Sequence, residues 1–101
     1  FRLIAEFSND AEIPILVLII PDHLQVIAPG VLADYDFYRP QRILKKHFDA
    51  IGLKYLDILA DFQTARDRDR LYFREDKHWT REGHALAARL VLPMALQMTG
   101  Q

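Results

Sequence analysis

The sequence predicts an α/β domain in which parallel strands lie between layers of helices. Residues 14–20 form a continuous apolar run rich in β-branched side chains, and residues 53–59 form a second apolar segment. Such runs are expected of strands that are covered on both faces. Helical patterns precede, separate and follow them. This alternation is typical of βαβ units, whose right-handed crossovers place the strands in one parallel sheet.

The first third of the chain is predicted to contain a helix, a strand and an irregular connection. Apolar residues at helical spacing indicate the last turns of a helix over residues 1–8, and turn-forming side chains at residues 8–10 end it. The first strand stops at Pro21. Residues 21–37 are predicted to be irregular, with a turn at residues 29–30.

The rest of the chain is predicted to add helices on both sides of the second strand. Residues 38–51 form an amphipathic helix with Gly52 at its C′ position. Residues 61–70 alternate in charge, which indicates a short surface helix or a loop. A final helix over residues 80–98 is predicted to be well buried and kinked by Pro93.

The composition excludes several classes of function. The 101 residues include 13 basic and 14 acidic side chains, for a net charge of −1, so no strong field attracts nucleic acid or an anionic membrane. The absence of cysteine excludes a disulfide framework, a thiolate metal site and a cysteine nucleophile. The longest apolar run is too short to span a bilayer. We predict one domain over residues 1–101, with no cofactor and no nucleic-acid partner.

One segment, residues 71–84 (LYFREDKHWTREGH), carries the candidate chemistry. In extended backbone Asp76 and His78 project to the same side, so the carboxylate can reach the imidazole. A carboxylate on Nδ1 holds the ring in the tautomer whose Nε2 accepts a proton. Thr80 is the predicted N-cap of the final helix, and Gly83 at its third position lets other backbone come close.

The pattern Asp-x-His-Trp-Thr-x-x-Gly-His at residues 76–84, followed by small residues at 85–88, resembles the C-terminal block of SGNH (GDSL-like) hydrolases. It is most similar to the branch that contains the alginate O-acetyltransferase-like proteins. The apolar strand ending in proline at residues 15–21 and the strand at residues 55–58 fit the second half of that fold. The resemblance implies a partial flavodoxin-like three-layer sandwich, with residues 1–101 as the C-terminal portion of an SGNH domain.

The resemblance also implies roles for individual residues. His78 would be the general base that activates a serine, and Asp76 the acid that orients it. In many members of the family the acid lies three residues before the histidine, and Glu75 holds that position here. Glu75 could reach the His78 ring only if the loop made a tight turn, so Asp76 is preferred. Trp79 and His23 are predicted to border the substrate, because His23 follows a strand at its carboxyl end. The implied substrate is an ester or an O-acylated carbohydrate or lipid, in a periplasmic, envelope-associated or secreted location.

The sequence does not contain a recognisable serine nucleophile. The only serine, Ser8, lies outside the Gly-Asp-Ser context of the family, and there is no Gly-x-Ser-x-Gly elbow. We therefore predict that the serine lies upstream in the same polypeptide and that the isolated chain is inactive. Two alternatives remain: a non-catalytic α/β interaction module, and a metal-assisted hydrolase using Asp76, His78 and His84.

Overall fold

The computed structural model describes residues 1–28, 30 and 34–100. The elements in chain order are α1 (Arg2–Ala11), β1 (Leu16–Ile19), α2 (His23–Ile27), α3 (Arg39–Ile51), β2 (Lys54–Asp57), α4 (Leu59–Thr64), a 3₁₀ helix (Arg68–Arg70) and α5 (Arg81–Met98). The two strands pair in parallel, with Leu16 opposite Lys54 and Ile19 opposite Asp57. Both predicted strands are therefore confirmed, and the chain crosses from β1 to β2 through α2 and α3.

Helices cover both faces of this sheet. Successive side chains of each strand point to opposite faces, so each strand contributes to both layers of packing. On one face Leu18 and Leu56 pack against α2, α4 and α5, in a cluster whose buried members are Val26, Ile58, Leu59, Phe62, Leu71, Tyr72 and Ala87. On the other face Val17 and Tyr55 pack against α1 and α3, in a second cluster whose buried members are Ala5, Ile19, Phe48 and Leu53. The predicted three-layer α/β arrangement is confirmed.

Two helices differ from their predicted extent or burial. Residues 8–10 continue α1 instead of ending it, and the helix ends at Glu12, whose φ is 56°. The predicted burial of α5 is wrong, because only Gly83 and Ala87 are buried along it and Leu92 is 57 % exposed. One side of α5 packs on the first cluster through Leu86, Ala87 and Leu90, and its other side faces solvent. None of the described helices is long and apolar enough to cross a membrane.

The connection after β1 is not wholly irregular, since it contains α2. Asp22 is the N-cap: its Oδ1 accepts the Leu24 N–H at 2.9 Å, and Gln25 Oε1 accepts the Asp22 N–H at 2.8 Å. This reciprocal pair is a capping box, which satisfies backbone donors at the start of a helix. Of the predicted turn, Gly30 lies in a turn and Pro29 lies outside the described residues.

A polar cluster joins α3 to the carboxyl end of β2. Lys45 Nζ lies 2.7 Å from Asp57 Oδ2 and contacts the Tyr38 hydroxyl, which donates to the same carboxylate oxygen at 3.1 Å. Burial raises the pKa of Asp57, but hydrogen bonds from Lys45 and the Leu59 N–H outweigh it and leave that pKa below its usual value. Asp57 Oδ1 accepts the Leu59 N–H at 3.0 Å, so the carboxylate also fixes the start of α4.

Candidate active site

Residues 71–80 form a hairpin-like loop that leads into α5. Tyr72 and Trp79 make an antiparallel bridge, and the Phe73 N–H donates to the His78 carbonyl at 2.8 Å. These contacts close the loop around a four-residue tip. Backbone hydrogen bonds between residues 71–73 and 78–80 therefore hold the two arms of the loop together.

Asp76 lies in this tip and His78 closes it, so the two are joined by a turn and not by the extended backbone that the sequence predicts. Lys77 between them has φ 65°, a left-handed conformation that is uncommon for a residue with a Cβ. Asp76 Oδ1 accepts the backbone N–H of His78 at 3.0 Å and lies 3.6 Å from His78 Nδ1. The carboxylate therefore faces the ring at slightly more than hydrogen-bond distance, a separation that often shortens when substrate binds.

Both side chains are open to solvent, with 85 % of His78 and 61 % of Asp76 exposed. Water therefore screens the pair, which weakens their attraction until another surface covers it. The geometry is suitable for an acid that orients an imidazole, and its electrostatic strength depends on what closes over it.

The first turn of α5 packs closely against the loop. Thr80 Oγ1 accepts the Gly83 N–H at 3.2 Å, which confirms Thr80 as the N-cap, and the Thr80 N–H donates to the Leu71 carbonyl at 2.9 Å. A Cβ added at Gly83 would lie 2.3 Å from the Leu71 carbonyl oxygen and 3.0 Å from Trp79 Cβ. The predicted close approach at Gly83 is confirmed, and it fixes α5 to the loop.

We expect Gly83→Ala to lower the free energy of unfolding by about 1–3 kcal/mol, because the new methyl group must displace a backbone carbonyl. Urea denaturation of the purified chain measures this change. Gly30→Ala is the matched control: a Cβ there meets no described atom within 4 Å, and we expect a change of less than about 0.5 kcal/mol. Equal stability of the two variants would contradict the close approach.

A cleft of about 520 Å³ opens beside the His78 ring at the carboxyl end of β1. This is the edge at which open α/β sheets bind their ligands. Three of the predicted site residues, His78, Trp79 and His23, line it, and the fourth, Asp76, is not among the lining residues. The complete lining is Ile20, Pro21, Asp22, His23, Tyr72, Lys77, His78, Trp79 and His84.

Aromatic side chains build the floor and one wall of the cleft. The half-buried Trp79 ring packs on Phe62 with 5.5 Å between centroids, and it lies perpendicular to the His84 ring with 5.4 Å between centroids. The His23 ring meets Tyr72 edge to face at 5.9 Å. Trp79 therefore joins the hydrophobic core to the cleft surface.

The Tyr72 hydroxyl connects the two sides of the cleft. It donates to the Pro21 carbonyl at 2.7 Å in a buried hydrogen bond. Burial raises the pKa of this hydroxyl, and the nearby indole N–H of Trp79 partly offsets the rise. That N–H is itself buried and has no acceptor within hydrogen-bond geometry among the described residues. The sequence pattern does not single out Tyr72, which occurs there as one apolar residue among three.

The metal-assisted alternative is not supported by the arrangement of its residues. Asp76, His78 and His84 do not converge, and among residues 1–28, 30 and 34–100 no group of three or more His, Cys, Asp or Glu side chains is placed to hold a metal ion.

Ser8 lies at the opposite end of the sheet from the cleft. Its Oγ donates to the Ile13 carbonyl at 2.5 Å, ahead of β1, whereas the cleft lies beyond the carboxyl end of that four-residue strand. A strand of this length spans roughly 13 Å. Ser8 is therefore out of reach of the His78 ring.

A family model described as "SGNH hydrolase-like domain, acetyltransferase AlgX" matches residues 9–99. The chain belongs to this family. The match covers both strands, the whole loop that carries Asp76 and His78, and α5, so the likeness extends far beyond residues 76–84 and includes most of this chain. No curated protein and no solved structure matches the chain.

Proposed function

We propose that this AlgX-type domain supplies the Asp-His part of a serine triad for acyl-ester hydrolysis or acyl transfer. The observation that carries the proposal is the placement of Asp76 Oδ1 3.6 Å from His78 Nδ1, with the His78 ring on an open cleft. Membership of a family of SGNH hydrolase-like acetyltransferase domains supports the reaction class.

In this mechanism His78 Nε2 removes the proton of a serine hydroxyl while the serine oxygen attacks the ester carbonyl. The Asp76 carboxylate stabilises the imidazolium that forms. The imidazolium then returns the proton to the leaving alcohol as the carbon–oxygen bond of the ester breaks, which leaves an acyl-serine. Water or an acceptor hydroxyl, deprotonated in turn by His78, releases the acyl group.

The serine in this proposal comes from polypeptide outside the 101 residues, because Ser8 lies at the far end of β1. The position upstream of Phe1 stays a prediction. The hydrogen-bond donors that stabilise the oxyanion are proposed to lie in that same polypeptide. We therefore expect no esterase activity from the 101 residues alone. We expect activity from the natural polypeptide that also contains the serine, which is called the gene product below.

Trp79 and His23 are proposed to contact an ester or O-acylated carbohydrate or lipid substrate, since both line the cleft. An aromatic wall packs against the apolar face of a sugar ring or an acyl group, and an imidazole hydrogen-bonds to hydroxyls. We also propose a periplasmic, envelope-associated or secreted location, on the strength of the family alone.

Asp76→Asn tests the role of the acid. Asparagine keeps an oxygen that accepts the His78 N–H, so the turn survives while the negative charge is lost. We expect the kcat of the gene product to fall by about 10²- to 10⁴-fold on an activated acetyl ester. Glu75→Gln, one residue away in the same tip, is the matched control and should retain activity. The reverse outcome would assign the acid to Glu75, and full activity of both variants would favour the non-catalytic interaction module.

A further inference from the structure

Two buried glutamines lie behind the cleft, and the proposed mechanism does not use them. Gln25 on α2 is 5 % exposed and Gln41 on α3 is 1 % exposed. Gln25 Nε2 donates to Gln41 Oε1 at 2.7 Å, and Gln41 Nε2 donates to Gln25 Oε1 at 3.1 Å. Burying two amides costs free energy unless they are paired, and a paired network permits one geometry only.

This amide pair is connected directly to the cleft. Gln25 Oε1 also accepts the backbone N–H of Asp22 at 2.8 Å, and Asp22 and His23 both line the cleft. Gln25 Nε2 has a further acceptor in the Phe37 carbonyl. Gln41 therefore fixes the orientation of the Gln25 amide, and that amide fixes the backbone at Asp22.

The peptide unit that joins Pro21 to Asp22 is thus held at both its carbonyl and its N–H. The Tyr72 hydroxyl holds the Pro21 carbonyl at 2.7 Å, and Gln25 holds the N–H of Asp22. The two anchors come from different parts of the fold, since Tyr72 belongs to the loop that carries His78. Tyr72 lines the cleft and Gln25 does not, so the glutamine acts on this backbone from outside the binding surface.

We propose that Gln41 is a positioning residue that acts through Gln25 to hold residues 21–23 as a fixed wall of the cleft. His23 is thereby presented to the substrate at a constant position relative to His78. We call the hydrogen bond from the Asp22 N–H to the Gln25 amide, as oriented by Gln41, the clamp. The catalytic consequence rests on the function proposed above, whereas the clamp does not.

Hydrogen exchange of the Asp22 amide in the full chain, followed by NMR, tests the clamp without any activity. We expect Gln41→Met, which has similar volume and no amide, to accelerate this exchange roughly tenfold relative to amides elsewhere in the chain. The matched control is Gln63→Met. Gln63 Nε2 donates to the backbone carbonyl of Gln25 at 2.9 Å and leaves the side-chain pair intact, so the Asp22 amide should not change.

The wild-type chain provides a second measurement that does not depend on whether Gln41→Met folds. Its Asp22 amide should be protected from exchange, and an Asp22 amide that exchanges as fast as a free peptide would overturn the clamp. An Asp22 amide that exchanges equally in wild type and in folded Gln41→Met would overturn the role of Gln41.

The gene product tests the catalytic consequence. We expect Gln41→Met to raise KM several-fold while kcat changes by less than about twofold, because the wall binds substrate and leaves the acid–imidazole pair untouched. Unchanged KM, with His78→Ala inactive, would overturn the positioning role and leave the proposed function standing. Full activity of His78→Ala would overturn the proposed function, and the Asp22 exchange would still decide the clamp.

Discussion

Replacing His78 by alanine is expected to lower the turnover of acyl esters by the gene product by about 10⁴- to 10⁶-fold. Without the His78 imidazole the proposed mechanism loses the group that removes the proton from the serine hydroxyl and returns one to the leaving alcohol. We do not expect Asp76 to replace it, because its Oδ1 accepts the backbone N–H of residue 78 and Asp76 does not line the cleft. The effect should appear in kcat, since an alanine leaves the aromatic wall of the cleft in place.

His47→Ala is the matched control for this experiment. His47 is exposed on α3, in the layer that covers the opposite face of the sheet, where its ring lies near Phe1 and Phe48. We expect its loss to leave turnover unchanged. A burst of alcohol release from an activated ester should be seen with wild type and His47→Ala and be absent with His78→Ala. Retention of a tenth or so of the activity by His78→Ala would remove the proposed base.

Replacing Phe62 by alanine is expected to lower the free energy of unfolding by about 3–5 kcal/mol. Phe62 is fully buried on α4 and contacts Trp79 at 5.5 Å and Tyr72 at 6.2 Å between ring centroids. Removing the ring creates a cavity directly beneath the cleft. Because domains of this size are stable by only about 5–15 kcal/mol, the loss is a large share of the total.

Urea denaturation followed by the fluorescence of Trp79, the one tryptophan of the chain, measures this effect. The same probe should report an altered indole environment before unfolding, because Phe62 packs on that ring. Phe7→Ala on α1 is the matched control: Phe7 is 58 % exposed, and we expect a loss below about 1 kcal/mol. A similar loss in both variants would mean that Phe62 does not support the loop.

The strands and the longest amphipathic helix were predictable because their signals are local. Residues 14–20 are apolar without interruption, and α3 combines a clear apolar face with Gly52, whose φ of 74° ends the helix. Turn-forming side chains at residues 8–10 gave a wrong end for α1, because residues with turn propensity are also tolerated in an exposed last turn. The helix continues instead to Ala11 and is capped at Glu12.

Helix α2 could not be predicted from the spacing of apolar residues, because its five residues make little more than one turn. Its signal was present in another form: Asp22 and Gln25 have the spacing of a capping box. Reading residues 22–25 in that way would have placed a helix start directly after β1. It would also have brought His23 to the sheet edge on a defined element.

The partners of the site could not be predicted, because they depend on tertiary contacts. Gln41 occupies an amphipathic helix as an ordinary polar residue, and only the approach of α2 to α3 buries it. The proximity of Asp76 and His78 was predicted for the wrong reason, since a left-handed Lys77 and not extended backbone brings them together. The burial of α5 depends on how many strands lie beneath it, which its own sequence does not report.

One oxygen atom, Asp76 Oδ1, both receives the main-chain N–H of His78 and lies nearest to its ring. Loop shape and ring orientation are thus set by the same atom. A glutamate would carry its oxygens one methylene farther out and would lose the short bond that builds the turn. Asp76→Glu keeps the formal charge of the side chain. It is nevertheless expected to rebuild the tip of the loop and to turn the imidazole with it.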